Sequence, residues 1–143
     1  MSAAPADIRI GTELVSAPYL LDDAAAKAYQ EGVEGPPRRR PPRGIHDDKD
    51  AARKAGFVAP IAGGEQTIAI IAQFLADNFG LRFVRGGRIE VALTRPVIFG
   101  DTLTSHAKIT SVGADRIELQ IHVENQRGEQ VLTGTAAVRT RDE

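Results

Sequence analysis

The sequence predicts an α+β fold in which an antiparallel sheet wraps around one long central helix. The stretch between Gly64 and Gly80 is apolar around most of its circumference, which is typical of a buried helix. Several later segments alternate apolar and polar residues, as half-buried strands do. A helix of this kind followed by a run of antiparallel strands packs as one layer against another.

The first predicted elements are a bent strand and a helix. Apolar residues in Ile8–Val15, interrupted by one glycine, predict a short strand with a bend. Asp22 and Asp23 then precede an alanine-rich stretch that ends at Gly32, and this pattern predicts a helix. Residues 1–7 are small and polar, and we expect them to be disordered.

A long loop and a short helix are predicted next. Residues 32–45 are mainly glycine, proline and arginine, and prolines disfavour a helix in the residue before them. A loop of this length inside a compact domain is often functional. Asp47–Ala55 reads as a short helix that ends at Gly56.

Four strands are predicted after the central helix. Ile117–Val123 shows the most regular alternation of apolar and polar residues. No internal repeat or interdomain linker is evident, so we predict one domain over residues 1–143. The other three strands are predicted at Arg88–Val97, Thr102–Val112 and Gln130–Arg141.

Composition excludes several classes of function. The net charge of −1 argues against a general attraction to nucleic acid. No apolar run reaches the ~18–20 residues that span a bilayer, and the N-terminus does not resemble a signal peptide, so we expect a cytoplasmic protein. There are no cysteines, and no spacing of potential ligands resembles a metal site. His106 and His122 fall within predicted strands, with His122 on a polar face, where a surface position is expected.

Four segments together resemble the MaoC-like (R)-specific enoyl-CoA hydratases. Residues 44–64 resemble the signature of that family, and residues 94–104 and 123–136 resemble its last strands. The opening Ile10-Gly-Thr-Glu13 extends the resemblance over nearly the whole chain. The motifs are weak singly and specific in combination.

The resemblance implies a hot dog fold, in which a curved antiparallel sheet encloses a long helix. It implies homodimers or dimer-based assemblies with sites near subunit interfaces. It also implies reversible addition of water to an enoyl thioester. The resemblance implies no metal or redox cofactor. Coenzyme A or an acyl carrier protein would be part of the substrate.

The catalytic motif of the family is only partly present. That motif is Asp-x-Asn-Pro-x-His, in which Asp and His share the acid/base work, and the matching segment here is Pro41-Pro-Arg-Gly-Ile-His46. His46 matches, and it is the natural acid/base candidate because imidazole titrates near pH ~6.5. Pro41 replaces the Asp, and Arg43 replaces the Asn. The alternative is that His46 only packs or caps at the start of the short helix.

Gly63, Gly64 and Glu65 open the central helix, where N–H groups are unpaired and the helix dipole is positive. The family has His-Gly at the two glycines. The resemblance therefore makes the Gly64 N–H the oxyanion donor, with Gly63 beside the substrate. Glu65 stands where the family has an apolar residue such as methionine, and we hypothesise that it replaces the missing Asp as base or nucleophile. The alternatives are a loop-to-helix transition that needs glycine dihedrals and an ordinary helix N-terminal charge.

Arginines and aspartates near His46 supply further candidates. Arg43 is a candidate ligand for an anionic group in the pocket, and Arg39 and Arg40 are candidate phosphate-binding residues. The alternative for the arginines is a solvated charge run. Asp47 and Asp48 are two other substitutes for the missing Asp, or else N-terminal acids of the short helix.

The sequence therefore predicts a lyase of the hydratase/dehydratase type. Its substrate would be an acyl thioester or a related, including a noncanonical, small molecule. Catalysis would use His46 and Glu65, with an oxyanion hole at Gly64. Two alternatives stay open, namely an acyl thioesterase that uses Glu65 and a catalytically silent acyl-binding subunit of a heteromeric hydratase.

Overall fold

A computed structural model describes residues 7–34 and 44–142 of the chain. Within these ranges, every helix is too short or too polar to cross a lipid bilayer. The elements, in chain order, are strands β1 (Glu13–Val15) and β2 (Tyr19–Leu20), helix α1 (Asp23–Glu34), a 3₁₀ helix (Gly44–His46), helices α2 (Lys49–Lys54), α3 (Gly64–Phe79) and α4 (Leu81–Val84), and strands β3 (Arg88–Leu93), β4 (Thr102–Val112), β5 (Arg116–Glu124) and β6 (Gln130–Arg139).

The strands form one antiparallel sheet in the order β1-β4-β5-β6-β3, and β2 adds a short pairing to β4. In the middle of the sheet, Ile121 lies opposite Ala107 of β4 on one side and Gly134 of β6 on the other. Alternation along β5 is strict, because every second side chain enters the core. The buried members are Ile117, Leu119, Ile121 and Val123.

Helix α3 packs across the inner face of this sheet. Ile71, Leu75 and Phe79 recur every four residues and are buried, so they form one stripe along the helix. This stripe joins the inward residues of β4, β5 and β6 in a single hydrophobic cluster. Each fully buried side chain of this size contributes roughly 1.5–3 kcal/mol. The predicted α+β architecture, a sheet around a central helix, is confirmed.

The N-terminal elements differ in part from the prediction. Only Glu13–Val15 of the predicted first strand is extended, because a turn at residues 9–11 places Gly11 at a φ of 92°. Helix α1 starts as predicted, since Asp22 Oδ1 accepts the N–H of Ala25 at 2.8 Å. The predicted end at Gly32 is wrong, because the helix runs on to Glu34. A glycine inside a helix costs only ~1 kcal/mol, which neighbouring turns offset.

Other boundaries shift by a few residues. Residues 44–46 form a 3₁₀ helix, whereas residues 44 and 45 were predicted as the end of the loop. Helix α2 is shorter than predicted because Asp48 is its N-cap. Strand β3 ends at Leu93 rather than residue 97, and β6 ends at Arg139 rather than residue 141. The short elements β2 and α4 were not predicted. The expectations for residues 1–6 and for the Pro/Arg-rich segment 35–43 lie outside the described residues.

Candidate active site

His46 is held by the backbone of the segment that leads into α3. Its Nδ1 lies 2.8 Å from the carbonyl oxygen of Ile61, whose own N–H donates to the carbonyl of Ile45 at 3.0 Å. The same segment is also hydrogen-bonded to the connection between β3 and β4, because the Ala62 N–H donates to the carbonyl of Val97. These bonds hold the half-buried imidazole against the segment that leads into α3.

The hydrogen bond to Ile61 fixes the tautomer of His46. A carbonyl oxygen can only accept, so Nδ1 carries the proton in this bond. In the neutral ring, Nε2 then keeps its lone pair and is the atom that can take a proton from water. This is the arrangement that a general base requires.

The first turn of α3 offers backbone donors. Gly63 is the N-cap residue, and it provides no side chain to cap the helix. Within the described parts of the chain, the N–H groups of Gly64 and Glu65 have no acceptor. Unpaired donors at the positive end of a helix dipole favour an anionic oxygen. The geometry is therefore compatible with an oxyanion site at Gly64.

The two glycines at this position have different structural requirements. Neither has a positive φ, so the dihedral explanation offered from the sequence does not apply. A Cβ on Gly64 would lie 2.5 Å from Cδ1 of Leu93, so the absence of a side chain lets α3 approach β3. The atoms nearest to a Cβ on Gly63 would be those of the Glu65 carboxylate, at 3.4 Å.

Glu65 folds back over the N-terminus of its own helix. Its carboxyl group lies beside Gly63, and its side chain is exposed to solvent. The helix dipole stabilises a carboxylate at this position. Glu65 therefore lies at the N-terminus of α3, and His46 is bonded to Ile61 in the segment that precedes this helix.

A groove of about 430 Å³ runs along α3 from Gln66 to Asp77, and its lining residues do not include His46, Gly64 or Glu65. The part between Gln66 and Asp77 spans roughly 16 Å at 1.5 Å per residue. Its walls are mainly apolar, which is typical of pockets for small organic ligands. The lining residues are Ser16, Ala17, Tyr19, Ala25, Ala28, Tyr29, Gln66, Ala69, Ile70, Gln73, Phe74, Asp77 and Ser105.

Two polar residues of the groove were missed by the sequence reasoning. Burial raises the pKa of Tyr29, and the nearby carboxylate of Glu65 raises it further, so this phenol stays protonated at neutral pH. Gln66 is 5% exposed, and its amide has no hydrogen-bond partner among the described residues. Neither residue belongs to a recognisable motif, so no sequence signal pointed to them.

The other predicted site residues are only partly described. Arg39, Arg40 and Arg43 lie outside the described residues. Asp48 is a structural cap, because its Oδ1 accepts the N–H groups of residues 50 and 51 at 2.8 and 3.1 Å. Asp47 is exposed beside it.

Replacing Gly64 by alanine should test the close approach to β3. We expect a loss of roughly 1 kcal/mol, because the new methyl group displaces the end of a flexible, half-exposed Leu93 side chain rather than backbone. Leu93→Ala should recover most of that loss in the double variant, as contacting residues couple by about 0.5–3 kcal/mol. Urea unfolding of the four proteins measures this coupling, and strictly additive effects would contradict it.

The profile of the family described as MaoC like domain matches residues 43–133. The match covers more than half of the chain and includes His46, Gly64 and Glu65. The chain belongs to the MaoC-like domain family. No curated protein sequence shows a significant match to it.

Solved structures resemble this MaoC-like chain over most of its length. A MaoC-like dehydratase from Rhodospirillum rubrum is 28% identical, with a TM-score of 0.69 and 92% of each chain covered. The R-hydratase PhaJ1 from Pseudomonas aeruginosa is 24% identical, with a TM-score of 0.76, and the alignment covers 96% of this chain and 85% of that one. A chain of the ChsH1-ChsH2 complex from Mycobacterium tuberculosis is 17% identical, with a TM-score of 0.75 and coverage of 94% and 100%.

These comparisons confirm the hot dog fold and the family that the motifs indicated. They support an activity of the hydratase type at the coarse level of the family. The family match spans Arg43, His46, Gly63, Gly64 and Glu65 but not Arg39 or Arg40, and it assigns a role to none of them.

Proposed function

We propose that this MaoC-like chain is a hydratase or dehydratase that adds water to, or removes it from, an acyl thioester. The observation that carries the proposal is the anchored His46, whose Nδ1–H donates to Ile61 and whose Nε2 has no partner among the described residues. In the hydration direction, Nε2 takes a proton from water while the oxygen bonds to the β-carbon. The imidazolium of His46 then gives this proton to the α-carbon as the enolate collapses, and the ring returns to its neutral form. The reverse sequence removes water.

The N-terminus of α3 stabilises the enolate in this proposal. Negative charge develops on the thioester oxygen during addition, and the N–H of Gly64, which has no acceptor among the described residues, would hold it. Glu65 supplies the second acid/base group in place of the family's Asp, because its carboxylate lies at the same helix end. The phenol of Tyr29 stays protonated near this carboxylate, because burial and the charge of Glu65 both raise its pKa.

The groove along α3 receives the acyl chain. Its mainly apolar wall suits an alkyl chain or another apolar group, and Gln66 offers a buried amide to a polar substituent. Coenzyme A or an acyl carrier protein is then part of the substrate, and the reaction needs no metal or redox cofactor. We expect the chain to act as a homodimer or beside a related subunit, since one structural relative is a complex.

Two rival functions rest on specific residues. Pro41 offers no acid/base group where the family has Asp, and this favours a silent acyl-binding subunit. Glu65 favours a thioesterase, since a carboxylate next to an oxyanion site can activate water for attack on the thioester carbonyl. Each rival predicts a different product from the same substrates.

Glu65→Gln separates these functions. The substitution keeps the size of the side chain and removes its charge, so we expect a roughly 10²–10⁴-fold loss of hydration if the carboxylate acts as acid or base. The assay presents a panel of enoyl-coenzyme A thioesters, following the enoyl ultraviolet band and free thiol together. Glu118→Gln is the matched control, because Glu118 is exposed on the outer face of β5.

Each outcome assigns one function. Loss of the enoyl band without free thiol supports the hydratase, and unchanged turnover in Glu65→Gln would return Glu65 to a helix N-terminal charge. Free thiol that depends on Glu65 would establish a thioesterase instead. No change in either signal, together with binding of acyl-coenzyme A measured by calorimetry, would overturn the enzyme in favour of a silent subunit.

A further inference from the structure

Two histidines from different strands meet on the outer face of the sheet. His106 of β4 lies directly opposite His122 of β5 in the strand register. Glu124 follows two residues after His122, so its side chain lies on the same face. This face is opposite to the one that packs on α3, because the neighbouring residues Ala107 and Val123 are buried in the core.

The polar atoms of this cluster converge. The imidazole rings are stacked, with centroids 4.3 Å apart and planes 6° apart. Nε2 of His106 lies 3.1 Å from Oε1 of Glu124, and Nε2 of His122 lies 3.9 Å from Oε2. One potential ligand atom from each residue lies within 4.8 Å of the others.

The surroundings of His122 favour its uncharged imidazole. Burial lowers the pKa of His122, and the neighbouring His106 lowers it further, while Glu124 acts in the opposite direction. The side chains are only 25–33% exposed, so water reaches them from one side. A neutral imidazole keeps a lone pair for a ligand, which a protonated one lacks.

We propose that His106, His122 and Glu124 bind a divalent transition-metal ion of the zinc type. Two imidazoles and a carboxylate suit zinc and its neighbours, whereas calcium and magnesium prefer sites made of oxygen. Three protein ligands leave a fourth position for water. The sequence alone predicted no metal because the two histidines are far apart in the chain, and only the strand register brings them together.

The cluster reaches the required geometry by side-chain rotation. Zinc takes nitrogen and oxygen ligands at ~2.0–2.2 Å, so tetrahedral ligands lie roughly 3.3 Å apart. Nε2 of His106 lies 3.1 Å from Oε1 of Glu124, and Nε2 of His122 lies 3.9 Å from Oε2, so both distances are near this value. The ligand atoms of the two imidazoles, which lie within 4.8 Å of each other, have to move closer together. The β4–β5 ladder stays as it is. A groove of about 340 Å³ beside β1 opens onto both histidines and gives the ion an entry path.

Charges around the cluster do not oppose a cation. Lys108, the nearest base lining that groove, lies 3.7 Å from Glu13 across β1 and β4. The metal would join β4 to β5 and lies away from the α3 N-terminus where His46 is placed. The inference is therefore independent of the proposed reaction.

Zinc titration of the metal-free, full-length protein by calorimetry tests the site. We expect one zinc ion per chain, and His106→Ala, His122→Ala and Glu124→Gln should each weaken binding by roughly tenfold or more. Cobalt(II) should give visible absorption bands of a four-coordinate complex, which the same substitutions abolish. His106→Gln provides a milder variant, and circular dichroism shows which variants keep the fold.

The third histidine of the chain supplies the matched control. His46→Asn should bind zinc as the unmodified protein does, because His46 lies at the helix end and not on the outer face. Equal zinc affinity in the folded His106 and His122 variants would overturn the site. So would the absence of binding at roughly millimolar zinc, well above the affinities of protein zinc sites, or loss of binding in His46→Asn alone.

Discussion

Replacing Gly134 by alanine should destabilise the protein by about 3 kcal/mol, near the upper end for overpacking. A Cβ at this position would lie 2.0 Å from the carbonyl oxygen of Glu90 and 2.9 Å from Cα of Val91. Both contacts are backbone atoms of β3, which is hydrogen-bonded to β6 in register with Gly134. Neither can rotate away, so the strands must separate or the ladder must distort.

Gly32→Ala makes the same chemical change where space is available. Gly32 lies inside α1, and nothing lies within 4 Å of an added Cβ. Alanine should stabilise that helix by about 0.5–1 kcal/mol. The free energy of unfolding measured in urea should therefore fall for Gly134→Ala and rise for Gly32→Ala. A Gly134→Ala protein as stable as the unmodified chain would show that β3 and β6 are not packed as described.

The long elements could be predicted from the sequence because their periodicity is strong. The apolar stripe of α3 and the alternation in Ile117–Val123 each repeat over several turns or residue pairs, so chance patterns are improbable. Tyr19–Leu20 and Leu81–Val84 are too short to show any period. Gly32 misled the prediction of a helix end because glycine is tolerated inside a helix when neighbouring turns are favourable.

The candidate site was predicted by motif, and its physical basis came from the fold. His46 was identified by its place in the family pattern, but its tautomer depends on the carbonyl of Ile61, which no sequence pattern marks. Gly64 was predicted to be open to a ligand, while the structure adds that β3 leaves no room for a Cβ there. Tyr29 and Gln66 enter the groove through helix packing, which spacing within one helix does not reveal.

Contacts between strands were the least predictable feature. His122 was expected on the surface because its strand alternates, and it does lie on the outer face. Its partner His106 depends on the pairing of β4 with β5, and a shift of one residue would have placed His106 on the other face. The two strands could be predicted from the sequence, but their register could not. The cluster with Glu124 was therefore found only in the structure.

His46→Asn should reduce turnover of the enoyl thioester by roughly 10²–10⁴-fold. Asparagine places an amide N–H near the position of Nδ1, so it can still donate to the carbonyl of Ile61. It has no counterpart of Nε2 and cannot take a proton from water. Stability should change little, since a replaced hydrogen bond of this kind contributes only about 0.5–1.5 kcal/mol.

Comparison of His46→Asn with His46→Gln and His46→Ala distinguishes a catalytic role of His46 from a purely structural one. Glutamine reaches toward the position of Nε2 and abandons the bond to Ile61, while alanine loses both groups. If Nε2 is the base, all three lose turnover to a similar degree whatever their melting temperatures. If His46 only anchors the segment before α3, His46→Asn alone keeps both stability and turnover, because it alone keeps the donor to Ile61. That second pattern would remove His46 from the reaction and leave the carboxylate of Glu65 as the group on which any chemistry at this helix end depends.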